Sequence, residues 1–107
     1  MPPPLPLPVE RALHKLGNDM SLARRRRRIS QASLAERMGA SLSTVRRMEQ
    51  GDSRVPIHFF ARALHVFGET RALERLLDTA NDDIGLTLMD EQLPKRVRSK
   101  PGASGAM

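Results

Sequence analysis

Basic and hydroxyl side chains crowd the middle of this chain, in a pattern suited to meeting a polyanion. Arg24 to Arg28 is an unbroken run of arginines, and Ser41, Leu42, Ser43, Thr44, Arg46 and Arg47 share one short segment further on. A guanidinium can donate two parallel hydrogen bonds to O6 and N7 of a guanine, worth ~1–3 kcal/mol of discrimination. Serine hydroxyls read bases less selectively, and a leucine can meet a thymine methyl. On a helix from 42 to 50, Leu42, Ser43, Arg46 and Arg47 lie away from Val45 and Met48, the two apolar residues that must turn inward. With Ser41 they are the candidates for contacts to base edges. Arg27, Arg28, Thr44 and Arg54 are candidates for phosphate contacts. Gln31 can either donate its amide to a phosphate or brace the next helix. On a continuous helix Arg24 and Arg28 would share one face and Arg26 the opposite one. Several phosphate contacts per subunit would make affinity fall steeply with salt.

Other chemistry is poorly served. The chain has no cysteine, so a disulfide framework and cysteine-ligated zinc or iron–sulfur sites are excluded. His14, His58 and His65 lack metal-ligand spacing and read as ordinary surface or half-buried groups. Asp82-Asp83 and Asp90-Glu91 read as turn and linker charges, because general acid–base work needs carboxylates held in a pocket. With no nucleophile constellation, metal set or phosphate loop, neither an enzyme, a cofactor nor a small-molecule substrate is expected.

Composition narrows the partner. The 107 residues carry 18 Lys and Arg against 12 Asp and Glu, a formal net charge of +6. That charge is unevenly spread: residues 1–54 balance at +6, residues 55–92 at −4 and residues 93–107 at +4. The polarity suggests one face for an anionic polymer and another for something else. Aromatics make up only 3%, which suits reading a duplex groove better than stacking single-stranded bases. No apolar run approaches the roughly 20 residues that span a bilayer, and no secretory pattern opens the chain. A cytoplasmic protein with no membrane partner is expected.

The elements that must position these residues follow from periodicity and punctuation. Residues 1–8 form a Pro-rich leader, either disordered or a ligand for a proline-recognition domain. Residues 9–92 form the domain, and 93–107 a flexible basic tail. Val9 to Arg27 reads as a helix with Leu13, Leu16, Met20 and Ala23 on one stripe, weakened at Gly17 and Asn18. Ser30 caps a second helix from Gln31 to Met38, which Gly39 ends. Ser41 or Ser43 caps a third helix to Gln50, closed by Gly51. A fourth begins at Pro56, runs to Phe67 with Phe60, Leu64 and Phe67 inward, and is closed by Gly68. Thr70 caps a fifth to about Ala80, with Leu73, Leu76 and Leu77 inward. Ile84, Leu86 and Leu88 then alternate with Gly85, Thr87 and Met89, the period of a strand. A lone strand needs a partner, either its own copy in a second subunit or, read instead as coil, a seat on the fifth helix.

Two short helices meeting at a tight turn through Gly39 have the spacing of a helix-turn-helix. The string SQxxLAxxxGxSxxTxxxxExG, running from Ser30 to Gly51, resembles the XRE, lambda-type repressor family over roughly residues 11–68. Gln31, Ala35, Gly39, Glu49 and Gly51 stand where that family has them. The resemblance implies an all-α, five-helix lambda-repressor-like domain and a pairing of Arg24 with Glu49 that ties the first helix to the recognition helix. The segment Gly85 to Met89, followed by Asp90-Glu91-Gln92-Leu93-Pro94-Lys95-Arg96, is similar to the tail of HipB-type antitoxins. That similarity implies a homodimer paired through one short C-terminal β-strand (Ile84, Leu86, Thr87 and Leu88) and a HipA-like kinase toxin as partner. It also implies autorepression of an operon from double-stranded operator DNA, in a bacterial, nucleoid-associated protein. The alternatives are a stand-alone XRE-family regulator without a toxin, or a basic peptide for RNA or membrane fused to a helical domain.

Overall fold

The structure, a computed structural model, describes residues 3–78 and 91–94. The chain divides into two compact units, Met1–Leu76 and Leu77–Met107. The first holds five helices: α1 (Leu7–Arg26), α2 (Gln31–Met38), α3 (Leu42–Glu49), α4 (Ile57–Phe67) and α5 (Thr70–Glu74). No strand occurs among the described residues, and the segment 84–89 lies outside them.

Local chemistry sets most boundaries. Ser30 and Ser41 each precede a helix in extended backbone and accept an N–H three residues on, Ser33 at 3.0 Å and Thr44 at 3.1 Å. These bonds satisfy amides that a helix start leaves without partners. Gly39, Gly51 and Gly68 then stand at φ 70, 77 and 76 and end α2, α3 and α4. Around each, two backbone N–H groups turn back to the last turn of the helix, as in Ala40 to Ala35 O (2.9 Å) and Asp52 to Arg47 O (3.0 Å). α1 ends by the same geometry, with Ile29 N–H on Arg24 O at 3.2 Å, but the left-handed position is held by Arg28 at φ 56.

α3 ends one residue before the expected Gln50 and α4 begins one after the expected Pro56, both of which are cap residues; two other helices differ by more. α1 starts at Leu7, before the expected Val9, because Pro8 falls in the first turn, where no N–H is needed. Its end at Arg26 puts Arg28 off the helix. Helical face arithmetic therefore does not relate Arg28 to Arg24. α5 stops at Glu74 rather than near Ala80, and Glu69, not Thr70, occupies the capping position. Leu73 is half-buried, but Leu76 and Leu77 are exposed, Leu77 at 93%. A short helix with few buried side chains has little beyond propensity to extend it.

The core gathers Met20, Ile29, Leu34, Ala35, Met38, Val45, Met48, Val55, Ala63 and Phe67. Unbranched methionines from α1, α2 and α3 fill the irregular space where these helices meet. Val45 and Met48 are inaccessible and anchor α3 from beneath. On the α1 stripe only Met20 is fully buried; Leu13 and Ala23 are partly covered and Leu16 is 41% exposed. α4 buries Ala63 and Phe67 fully, with Phe60 and Leu64 half-buried.

Gly17 has a use that its helix propensity conceals. A Cβ there would lie 2.6 Å from Met48 O and 2.7 Å from Glu49 O, so α1 meets the end of α3 backbone to backbone. Gly51 makes the reciprocal approach: a Cβ on it would sit 2.8 Å from His14 Cα. These two glycines set how closely α3 rests on α1.

Candidate nucleic-acid interface

α3 is buried along Thr44, Val45 and Met48 and exposes Ser43, Arg46 and Arg47, with Gln50 exposed at its C-cap. Leu42 is half-buried and Ser41 exposed at the start of the helix. The five base-contact candidates, Ser41, Leu42, Ser43, Arg46 and Arg47, thus come together at the start and along the outer side of one short helix. Arg46 has no carboxylate partner among the described residues, and Arg47 Nη2 reaches back toward Thr44 Oγ1 at 3.5 Å.

A buried polar cluster fixes this helix. Arg24 Nε donates to Glu49 Oε2 at 2.7 Å and Nη2 to Oε1 at 3.0 Å, a two-pronged pair with side chains only 11% and 8% exposed. Arg24 Nη1 also donates to Ile29 O at 2.9 Å, and Gln31 Nε2 to Glu49 Oε1 at 3.0 Å. One carboxylate therefore joins the end of α1, the start of α2 and the end of α3. Burial pushes the Glu49 carboxyl up, but hydrogen bonds from Arg24, Gln31 and Ser21 and the charge of Arg24 outweigh it and hold the group below its ordinary value. A pair this enclosed secures geometry more surely than net stability. Of the two roles open to Gln31, the structure forms the brace.

Most of the other phosphate-contact candidates already have partners within the chain. Thr44 is 7% exposed, its N–H is taken by Ser41 Oγ and its hydroxyl lies 3.0 Å from the same atom. It therefore completes a cap and is almost wholly enclosed. Arg27 Nη1 donates to Ala23 O at 2.9 Å, its guanidinium lies 5.0 Å from the centre of the Phe67 ring, and Nη2 is 3.8 Å from Glu69 Oε1. It clips the end of α1 to the end of α4. Arg54 forks onto Asp52, with Nε to Oδ1 at 3.1 Å and Nη2 to Oδ2 at 2.9 Å. Side-chain and backbone hydrogen bonds from Arg54 carry the Asp52 carboxyl down to about 2. Arg28 stays exposed just ahead of α2.

The periodicity also concealed Arg62. Its Nη1 donates to Met38 O at 3.1 Å and so holds the helix-turn-helix corner from α4. A lone arginine on a mixed helix face carries no signal for such a bond.

Two short helices joined at a left-handed glycine, the second anchored from below and basic outside, can lay side chains into a duplex major groove while the first helix crosses the backbone. The amide groups that begin α2 and α3 add donors for phosphate oxygens. None of the described helices is long and apolar enough to cross a membrane. The family described as a helix-turn-helix domain matches residues 15–77. Searches of curated proteins and of solved structures found no match.

Proposed function

This chain belongs to the helix-turn-helix domain family, and from that premise we propose that it is a sequence-specific double-stranded DNA-binding repressor of the XRE type. The observation that carries the reading is the outer face of α3: Ser43, Arg46 and Arg47 exposed on a helix whose opposite side is fully buried and whose end is tied through Glu49 to Arg24 and Gln31. Arg46 and Arg47 read base edges, with Ser41, Leu42 and Ser43 beside them. Arg28 meets a backbone phosphate; Arg54 does so by sharing its guanidinium with Asp52. The chain works by binding rather than catalysis.

The similarity of residues 85–96 to HipB-type tails supports a finer reading. In it the protein is a homodimer paired through Ile84, Leu86, Thr87 and Leu88. It represses its own operon and binds a HipA-like kinase toxin. Gel-shift titrations against the promoter upstream of its gene, a scrambled duplex and single-stranded RNA test the first part. Equal affinity for all three would sink sequence reading. Affinity capture with the neighbouring gene product tests the second. A promoter-specific protein that captures no kinase is the stand-alone regulator instead.

A further inference from the structure

A second basic cluster is built from α2 and α4 and uses none of the base-contact candidates on α3. His58, Ala61, Arg62 and His65 recur at i, i+3, i+4 and i+7 on α4, so they form one stripe. Arg37 from α2 faces that stripe, and with Met38 these residues line a shallow cavity of about 420 Å³. No acidic side chain is among its lining residues. This is unexpected by charge, since residues 55–92 hold more than twice as many acidic groups as Lys and Arg.

The described arginines that pair with acids do so elsewhere: Arg24 with Glu49, Arg27 with Glu69 and Arg54 with Asp52. Arg37 and Arg62 have no carboxylate partner among the described residues. Arg62 is nonetheless held in place. One of its nitrogens is spent on Met38 O at 3.1 Å, and its guanidinium carbon lies 5.9 Å from the centre of the Phe59 ring. His58 packs on that ring too, with centroids 4.2 Å apart. Two guanidiniums, of Arg37 and Arg62, line one hollow with no carboxylate to balance them, and a guanidinium fixed by its surroundings loses little freedom when it captures an anion. Arginines and histidines together supply the several N–H donors that a tetrahedral oxyanion accepts.

We propose that Arg37, His58, Arg62 and His65 form a binding site for a phosphate group, separate from the base-reading face of α3. The phosphate belongs either to the DNA backbone, extending the footprint past the recognition helix, or to a free phosphorylated molecule acting as an effector. The site does not depend on whether α3 reads bases.

Pyrophosphate titrated into the full chain at constant ionic strength, followed by the histidine and arginine side-chain NMR signals, tests it. Saturable shifts at His58 and His65 are expected, with sodium chloride giving none. Arg37→Gln and His65→Gln alter exposed groups and should each weaken binding roughly tenfold, the loss of one charge-assisted hydrogen bond. A random duplex separates the sources. If the phosphate is DNA's, the duplex shifts the same signals and Arg37→Gln lowers the salt slope of duplex binding by about one. If it is a free ligand's, pyrophosphate binds while that slope stays unchanged. Signals unmoved by both pyrophosphate and duplex, or moved equally by chloride, overturn the proposal.

Discussion

Replacing Gly17 with alanine sets two effects against each other, and their sizes can be worked out. Inside a helix, Gly→Ala stabilises by about 1 kcal/mol through propensity alone. Here the new methyl would lie 2.6 Å from Met48 O, 2.7 Å from Glu49 O and 2.9 Å from Glu49 C. These are backbone atoms of another helix and cannot swing aside as a side chain would. Restoring ordinary contact requires α3 to retreat by roughly 0.8 Å, and overpacking of this kind costs about 1–3 kcal/mol, with rigid neighbours at the upper end. The retreat also stretches the Arg24–Glu49 hydrogen bonds, now 2.7 and 3.0 Å. We expect Gly17→Ala to destabilise the domain by about 2 kcal/mol net, a loss of roughly 8–16 °C in Tm for a domain of this size. Urea and thermal melts followed by circular dichroism measure this directly. Asn18→Ala, at the exposed neighbouring position, is the control and should gain about 0.5 kcal/mol. A Gly17→Ala protein as stable as the parent would refute the backbone-contact argument, because propensity would then have won.

Arg28→Gly should raise stability by about 1 kcal/mol, since φ 56 costs arginine what it does not cost glycine; the same variant should bind every duplex more weakly with a salt slope lower by about one, both read from melts and salt-dependent gel shifts. Glu49→Gln leaves Arg24 enclosed without its counter-charge and should cost about 3 kcal/mol at neutral pH. Because the folded-state carboxyl lies below its unfolded value, Glu49 contributes stability that is full above the unfolded value and fades as pH falls through the folded one. The parent and Glu49→Gln should therefore converge in acid, and a constant gap between their melts from neutral to strongly acidic pH would contradict the linkage. Arg46→Ala and Arg47→Ala should flatten preference for the promoter over scrambled duplex, at least one of them by ~1–3 kcal/mol in competition gel shifts. On the proposed strand-paired homodimer, light scattering should give a dimer for the parent and a monomer for Leu86→Asp; an intact dimer in the variant would remove the strand from the interface, and a monomeric parent would remove the dimer.

The helices were largely legible in the residues because their ends depend on neighbours. A serine hydroxyl reaches an amide three residues ahead, and glycine tolerates the left-handed turn that closes a helix, so Ser30, Ser41, Gly39, Gly51 and Gly68 announce α2, α3 and α4 locally. The outer face of α3 follows too, once Val45 and Met48 are taken as inward. α5 was less legible, since its length depends on what covers Leu76 and Leu77, which periodicity alone does not supply.

The arginine run shows where local reasoning stops. The sequence by itself determined a basic, helix-turn-helix chain with a third helix from residue 42 to 50, basic on its outer side, and a pool of cations beside it. Within that pool the side chains are chemically identical, and their roles are assigned by partners far along the chain. Arg24 goes to Glu49, Arg27 to Phe67 and Glu69, and Arg28 is left exposed in a left-handed turn. In the same way only packing turns Gly17 from a weak point of α1 into the contact on which α3 rests. Spacing decides which residues share a face, but which of them are free to bind is decided by long-range contacts that occupy the others.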